Sequence, residues 1–186
     1  MKRVLAVLFF VLLIAYPLGI FYALKNYEPR AIGIVLVLLF FGRYILAESQ
    51  SRGVILTTIT IVGMISGILI GYTNHPLLLK FNPVFVNLAL TIIFLSSLFR
   101  PPSIIESIAR LQTPNLSSNG VEYTRKVTIA WSIFFLVNAA IASYTAIFSS
   151  IEIWTVYNGL IAYLLIGLFF LVEFNIRRFA MRSANE

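Results

Sequence analysis

A chain of 186 residues that is 60% hydrophobic, only 11% charged and carries a net charge of +7 cannot hide its apolar surface inside a soluble core, since soluble domains are about half apolar and a quarter charged. Lipid must therefore be its main solvent, and about 20 residues per crossing leave room for roughly six spans and no separate soluble domain. The absence of cysteine and aspartate excludes disulfides, thiolate metal sites and aspartate-based catalysis. The basic residues cluster at the ends of apolar runs, which points to topology and anionic-lipid contact rather than nucleic acid.

The expected fold is all-α: a polytopic integral membrane protein with six transmembrane helices in a single domain, 1–186, and a short interfacial helix. The first span is predicted over Val4–Leu24. Its Met1-Lys2-Arg3 start resembles a signal peptide, but the apolar run is too long and lacks a small-residue cleavage site. The second and third are expected over Ala31–Ala47 and Gly53–Tyr72. The fourth is expected over Pro83–Phe99, with an earlier start at Pro76 as the alternative and Lys80 snorkelling outward. The fifth and sixth follow at Val127–Phe148 and Trp154–Phe174. Trp131 and Trp154 are expected near opposite interfaces as belt residues.

Lys2, Arg3, Arg43, Arg52, Arg100, Arg110, Arg125, Lys126, Arg177, Arg178 and Arg182 fall on one side. Only Lys25, Arg30 and Lys80 fall on the other, a ratio of eleven to three. The positive-inside rule then places both termini in the cytoplasm.

The one long connection is the cytoplasmic loop 100–126. Pro101-Pro102 ends the fourth helix. Ser103-Ile104-Ile105-Glu106 forms a capping box, in which serine and glutamate satisfy each other's free amides. The periodicity puts Ile104, Ile105, Ile108 and Leu111 on an apolar face and Glu106, Ser107 and Arg110 on a polar one, as for a helix lying in the interface. Ser117-Ser118-Asn119-Gly120 is expected to be a turn.

Gly63, Gly67 and Gly71 recur every four residues, a stripe that lets another helix backbone approach. It serves either packing within the bundle, with Ala142 and Ala146 of the fifth span as a partner surface, or a homodimer. Asn87, Asn138, Ser143, Tyr144, Thr145 and Asn158 fall inside the bilayer, where they bond between helices or line a small-molecule site. No charged group is expected at depth, which argues against an ion pump. His75 and Glu152 are expected on the outer face without a third group to support acid–base chemistry. No phosphate loop or metal-ligand spacing occurs, so the chain is expected to be non-enzymatic and free of cofactor and metal. Arg110, Tyr123, Arg125, Lys126, Glu173, Arg177 and Arg178 gather at one level, with Glu122 beside them, as a candidate docking face.

The stretch Arg125-Lys126-Val127-Thr128-Ile129-Ala130-Trp131-Ser132-Ile133-Phe134-Phe135 resembles the Trp-x-x-Phe-Phe helix start of septation protein A-like bacterial inner-membrane proteins. Tyr144, Ala146, Trp154, Tyr157-Asn158-Gly159 and the proline-led amphipathic helix continue the likeness. The run from Glu106 and Arg110-Leu111 to Glu173 is similar to a branch associated with fatty-acid-like or aryl polyene synthesis genes. The resemblance implies an inner-membrane protein supporting cell-envelope synthesis or division through other membrane proteins, with no catalytic residues to carry over. It also leaves open a membrane accessory or carrier for a lipid-like or polyene product.

Overall fold

A computed structural model describes residues 19, 21–23, 26–46, 53–111 and 113–182, with backbone only for Leu46 and residues 178–182. The predicted first span, Val4–Leu24, falls largely outside the described residues, as do Ala47 and Arg52. The described residues are helical and contain no strand. Among the described residues, four helical stretches are long and apolar enough to cross a membrane: Val54–Thr73, Pro76–Ser97, Ser118–Phe148 and Ile151–Arg177. The protein is all-α and membrane-embedded.

Helix α1 (Pro29–Leu46) runs antiparallel to α2 (Val54–Thr73). At one end Arg30 donates from its backbone N–H to Asn74 Oδ1 (2.8 Å) and from Nε to the Gly71 carbonyl (3.1 Å). Toward the other end Gly63 faces the Phe40 ring. Between them the backbones touch. A Cβ on Gly33 would lie 2.6 Å from the Gly67 oxygen and 2.8 Å from the Gly71 nitrogen, and a Cβ on Gly67 would lie 2.8 Å from the Gly33 oxygen. The glycine stripe thus meets α1 through Gly33, Val37 and Phe40. Ala142 and Ala146, the expected partner surface, are buried, and Ala146 shares a cluster with Ile70 of α2, Leu79 and Trp154, but the closest approaches to the glycines come from α1.

Asn74 ends α2 in the left-handed region (φ 52°), a conformation its short polar side chain tolerates. His75 then caps α3 (Pro76–Ser97) with Pro76 at its first position, where a missing N–H costs nothing. The fourth span therefore starts at Pro76, the earlier of the two expected points. Pro83 lies inside the helix instead of opening it. After the helix comes a turn through Leu98 and Phe99 and the short α4 (Ile104–Arg110).

Helix α5 (Ser118–Phe148) begins nine residues before the predicted span, because Ser117 accepts a hydrogen bond from Gly120 N–H (3.3 Å) as an N-cap. The expected turn at Ser117–Gly120 is thus a helix start, and residues 118–126 of the predicted loop are helical. The last rod comprises α6 (Ile151–Val156), a π-helical turn at Tyr157–Ile161 and α7 (Ala162–Arg182). The consecutive residues Tyr157 and Asn158 of the π turn are both buried.

Among the described residues, two apolar clusters hold the helices together. One gathers Leu36, Phe40, Ile70, Leu79, Ala146 and Trp154; the other gathers Leu90, Phe94, Ile104, Val127, Trp131 and Phe135. Both tryptophans are core residues and not belt residues, Trp131 being 3% exposed and Trp154 0%. Trp131 packs on Phe169 and Phe170, with ring centroids 4.4 and 4.7 Å away. Trp154 meets its need for an acceptor inside the fold, donating from Nε1 to the Lys80 carbonyl (3.0 Å). A buried indole N–H requires such a partner.

Candidate functional site

The charged side chains converge where α3 ends, α5 begins and α7 ends. The connection from α3 to α5 is a hydrogen-bonded latch. Ser103 Oγ accepts from Glu106 N–H, Glu106 Oε2 accepts from Ser103 N–H (both 3.4 Å), and Thr128 on α5 donates to Ser103 Oγ (3.2 Å). Ser97 Oγ accepts from Ile104 N–H (3.2 Å), tying α4 to the end of α3. Four orphan amides open every helix, and the capping box together with Ser97 satisfies three near the start of α4.

Glu106 departs from the amphipathic reading. It is 6% exposed, while Ile108 is 47% and Leu111 84% exposed. The reason is local: a capping glutamate must reach back to its own N-cap, and Ser103 is itself buried against Thr128. Arg110 supplies the countercharge. Its Nε and Nη2 donate to Glu106 Oε1 (2.9 and 2.7 Å), and Nη1 donates to the Pro114 carbonyl (3.0 Å). A buried carboxylate needs this kind of pairing.

The remaining members of the predicted face also have specific contacts. Arg125 Nη1 donates to the Leu98 carbonyl (2.9 Å), a cation placed at the negative C-terminal end of α3. Tyr123 donates its hydroxyl to Glu173 (3.3 Å to the backbone oxygen and 3.3 Å to Oε1), which joins the start of α5 to α7. Arg177 Nε lies 4.0 Å from Glu173 Oε1 and its guanidinium stands over the Phe174 ring. Lys126 pairs with Glu122 at 2.7 Å, both well exposed. Arg178 lies on α7, where the backbone alone is described.

A second polar group lies inside the bundle. Asn138 on α5 donates from Nδ2 to Asn87 Oδ1 on α3 (3.0 Å) and accepts from the Tyr157 hydroxyl (2.7 Å). Asn87 Nδ2 donates to the Pro83 carbonyl (2.7 Å). Asn158 Nδ2 donates to Thr145 Oγ1 (3.3 Å) and to the Trp154 carbonyl (2.9 Å). Asn87 and Asn138 are thus joined to each other, and Asn158 to Thr145 and the backbone, as low-dielectric surroundings demand. Tyr144 points outward at 61% exposure beside Phe148, and Ser143 bonds back to the Ala139 carbonyl. Sequence reasoning missed Tyr157 as a member and Asn82 altogether. Asn82 is 4% exposed and its Oδ1 meets no hydrogen-bond donor. The Tyr-Asn pair entering a predicted span was the available signal.

The two groups weighed for acid–base chemistry sit at helix starts. His75 Nδ1 accepts from Leu77 N–H (3.3 Å) as the N-cap of α3, and Glu152 lies in the first turn of α6, where a negative charge favours the helix dipole. Among the described residues no three His, Cys, Asp or Glu side chains gather as a metal site. No protein-family model, curated protein or solved structure matches the chain.

Proposed function

We propose that this is a non-catalytic protein of the bacterial inner membrane that supports envelope synthesis or division by docking a partner at its basic, cytoplasmic end. In this reading the chain makes six crossings with both termini in the cytoplasm, as the eleven-to-three distribution of basic residues requires.

The observation that carries the reading is the fixed geometry of that end. Charge-driven insertion needs only positive residues near the span ends. It has no use for a buried capping box, a serine–threonine bond between the latch and α5, or a tyrosine that ties α5 to α7. Ordering a loop costs about 1–2 kcal/mol of backbone entropy per residue, and a preorganised surface is where such an outlay improves binding. The alternative, a carrier for a lipid-like or polyene product, would draw on Asn87, Asn138 and Asn158 as handles. Asn87 and Asn138 are already bonded to each other, to Tyr157 and to a backbone carbonyl, and Asn158 to Thr145 and the Trp154 carbonyl, so the geometry favours docking.

Because Arg110 is engaged by Glu106 and Pro114, its substitution would disturb the latch before any partner. The exposed pair Glu122 and Lys126 gives a cleaner test. The double swap Glu122→Lys with Lys126→Glu keeps net charge and an i,i+4 ion pair while reversing the local pattern. Docking predicts loss of partner recovery and of complementation in a deletion host, at normal abundance and topology. Full activity of the swapped protein would leave this face as an insertion signal alone.

A further inference from the structure

Among the described residues, Arg100 and Arg125 of the basic end are not served by a carboxylate. Glu106 is taken by Arg110, Glu122 by Lys126, and Glu173 by Tyr123 and Arg177. Arg125 reaches from α5 to the Leu98 carbonyl with Nη1, which fixes its guanidinium at the end of α3. A guanidinium has five N–H donors, and the side chain is exposed, so others point outward. Arg100 follows Leu98 by two residues, is exposed, and has no ion-pair partner among the described residues. Both cations therefore belong to the same end of α3, Arg125 through its bond to the Leu98 carbonyl and Arg100 through its place in the chain, and an anion bound there would meet them together.

The surroundings identify the anion. Phe99, between the buried Leu98 and Arg100, is 83% exposed, and on the same connection Leu111 is 84% and Ile108 47% exposed. Exposed apolar side chains on the connection that carries Arg100, next to arginines without a carboxylate partner, suit a molecule with a phosphate at one end and hydrocarbon at the other. A soluble phosphate would leave them uncovered. We propose that Arg100 and Arg125 hold the phosphate of an anionic phospholipid, with its acyl chains against Phe99, Ile108 and Leu111. The lipid seats the end of α3 and the latch at the membrane surface, and the contact is independent of any protein docked nearby.

The test is native mass spectrometry of the full chain released from nanodiscs containing phosphatidylglycerol and phosphatidylcholine. The parent should retain phosphatidylglycerol preferentially. Arg100→Gln, which spares the Leu98 bond, should lower that retention about ten-fold, as expected for loss of a charge-assisted arginine–phosphate contact. Lys126→Gln removes an equal charge at the same end, but one that is exposed and already paired with Glu122, so through a screened field it should change retention no more than about two-fold. Equal losses in the two variants would mean unspecific attraction and overturn the assignment. So would equal retention of phosphatidylcholine by the parent. Displacement of the lipid by inorganic phosphate would make the ligand a soluble anion and refute the acyl-chain contact. The Glu122/Lys126 swap should leave lipid retention unchanged, so failure of the docking reading and failure of this one are separable.

Discussion

Two seams of this bundle solve the same problem with different emphasis. In lipid there is no hydrophobic drive between helices, so association rests on close packing or on interhelical hydrogen bonds. The α1–α2 seam uses packing. Gly33 and Gly67 bring backbone against backbone, while Phe40 lies over Gly63. The α3–α5 seam uses polar groups, with Asn87, Asn138 and Tyr157 in one chain of bonds. The first tolerates no added volume at Gly33, Gly63 or Gly67. The second tolerates shape change but no loss of a bonding partner. Their difference shows that small-residue stripes and buried amides are alternative adhesives, and that each fails in its own way.

The largest expected effect breaks the packed seam. Gly67→Leu forces side-chain atoms into the Gly33 carbonyl and Val37 amide, 2.8 and 3.1 Å from the Cβ position. It should cost about 3 kcal/mol, the upper end for overpacking, read as a lowered Tm in detergent. A variant that melts like the parent would show that α1 does not rest on this stripe.

Next, Asn138→Leu removes the centre of the polar seam and strands both Asn87 Oδ1 and the Tyr157 hydroxyl. It should cost about 1–2 kcal/mol by chemical unfolding. In a double-mutant cycle, adding Asn87→Leu should cost less than it does alone, because the orphaned partner is then gone. Additive losses would mean the two amides do not share a bond.

Ser103→Ala removes the N-cap of α4 and the acceptor used by Thr128. A loss of about 1 kcal/mol is expected, seen as faster hydrogen exchange confined to residues 103–110 while the spans keep their protection. Tyr157→Phe is milder, about 0.6 kcal/mol, since Asn138 keeps its bond to Asn87. The smallest effect returns to the glycine stripe. Gly71→Ala should change stability by less than about 0.5 kcal/mol, because a Cβ there has no atom within 4 Å. Equal damage from Gly71→Ala and Gly67→Leu would mean that the whole stripe is in contact.

Some of this was legible in the residues themselves. The capping box at Ser103 and Glu106, the small-residue stripe and the polar positions Asn87 and Asn138 all follow from local chemistry, since a cap, a missing side chain and a desolvated amide each state their own requirement. Glu106 shows where the reading stops. Its helical position places it with Ser107 and Arg110 on the polar face, yet it is buried because its N-cap is pinned to α5. Trp131 and Trp154 show the same thing for aromatics: the residue type suits an interface, and acceptors and rings on other helices took them inside.

The membrane-embedded, all-helical character was determined by the sequence alone, because hydropathy and span length are sums over neighbouring residues and every backbone group in lipid must be satisfied within its own helix. Which glycine meets which backbone, which amide meets which, and which arginine is left without a carboxylate were decided only by tertiary structure. Those depend on the rotation and register of one helix against another, as at the π turn Tyr157–Ile161, where the consecutive residues Tyr157 and Asn158 are both buried.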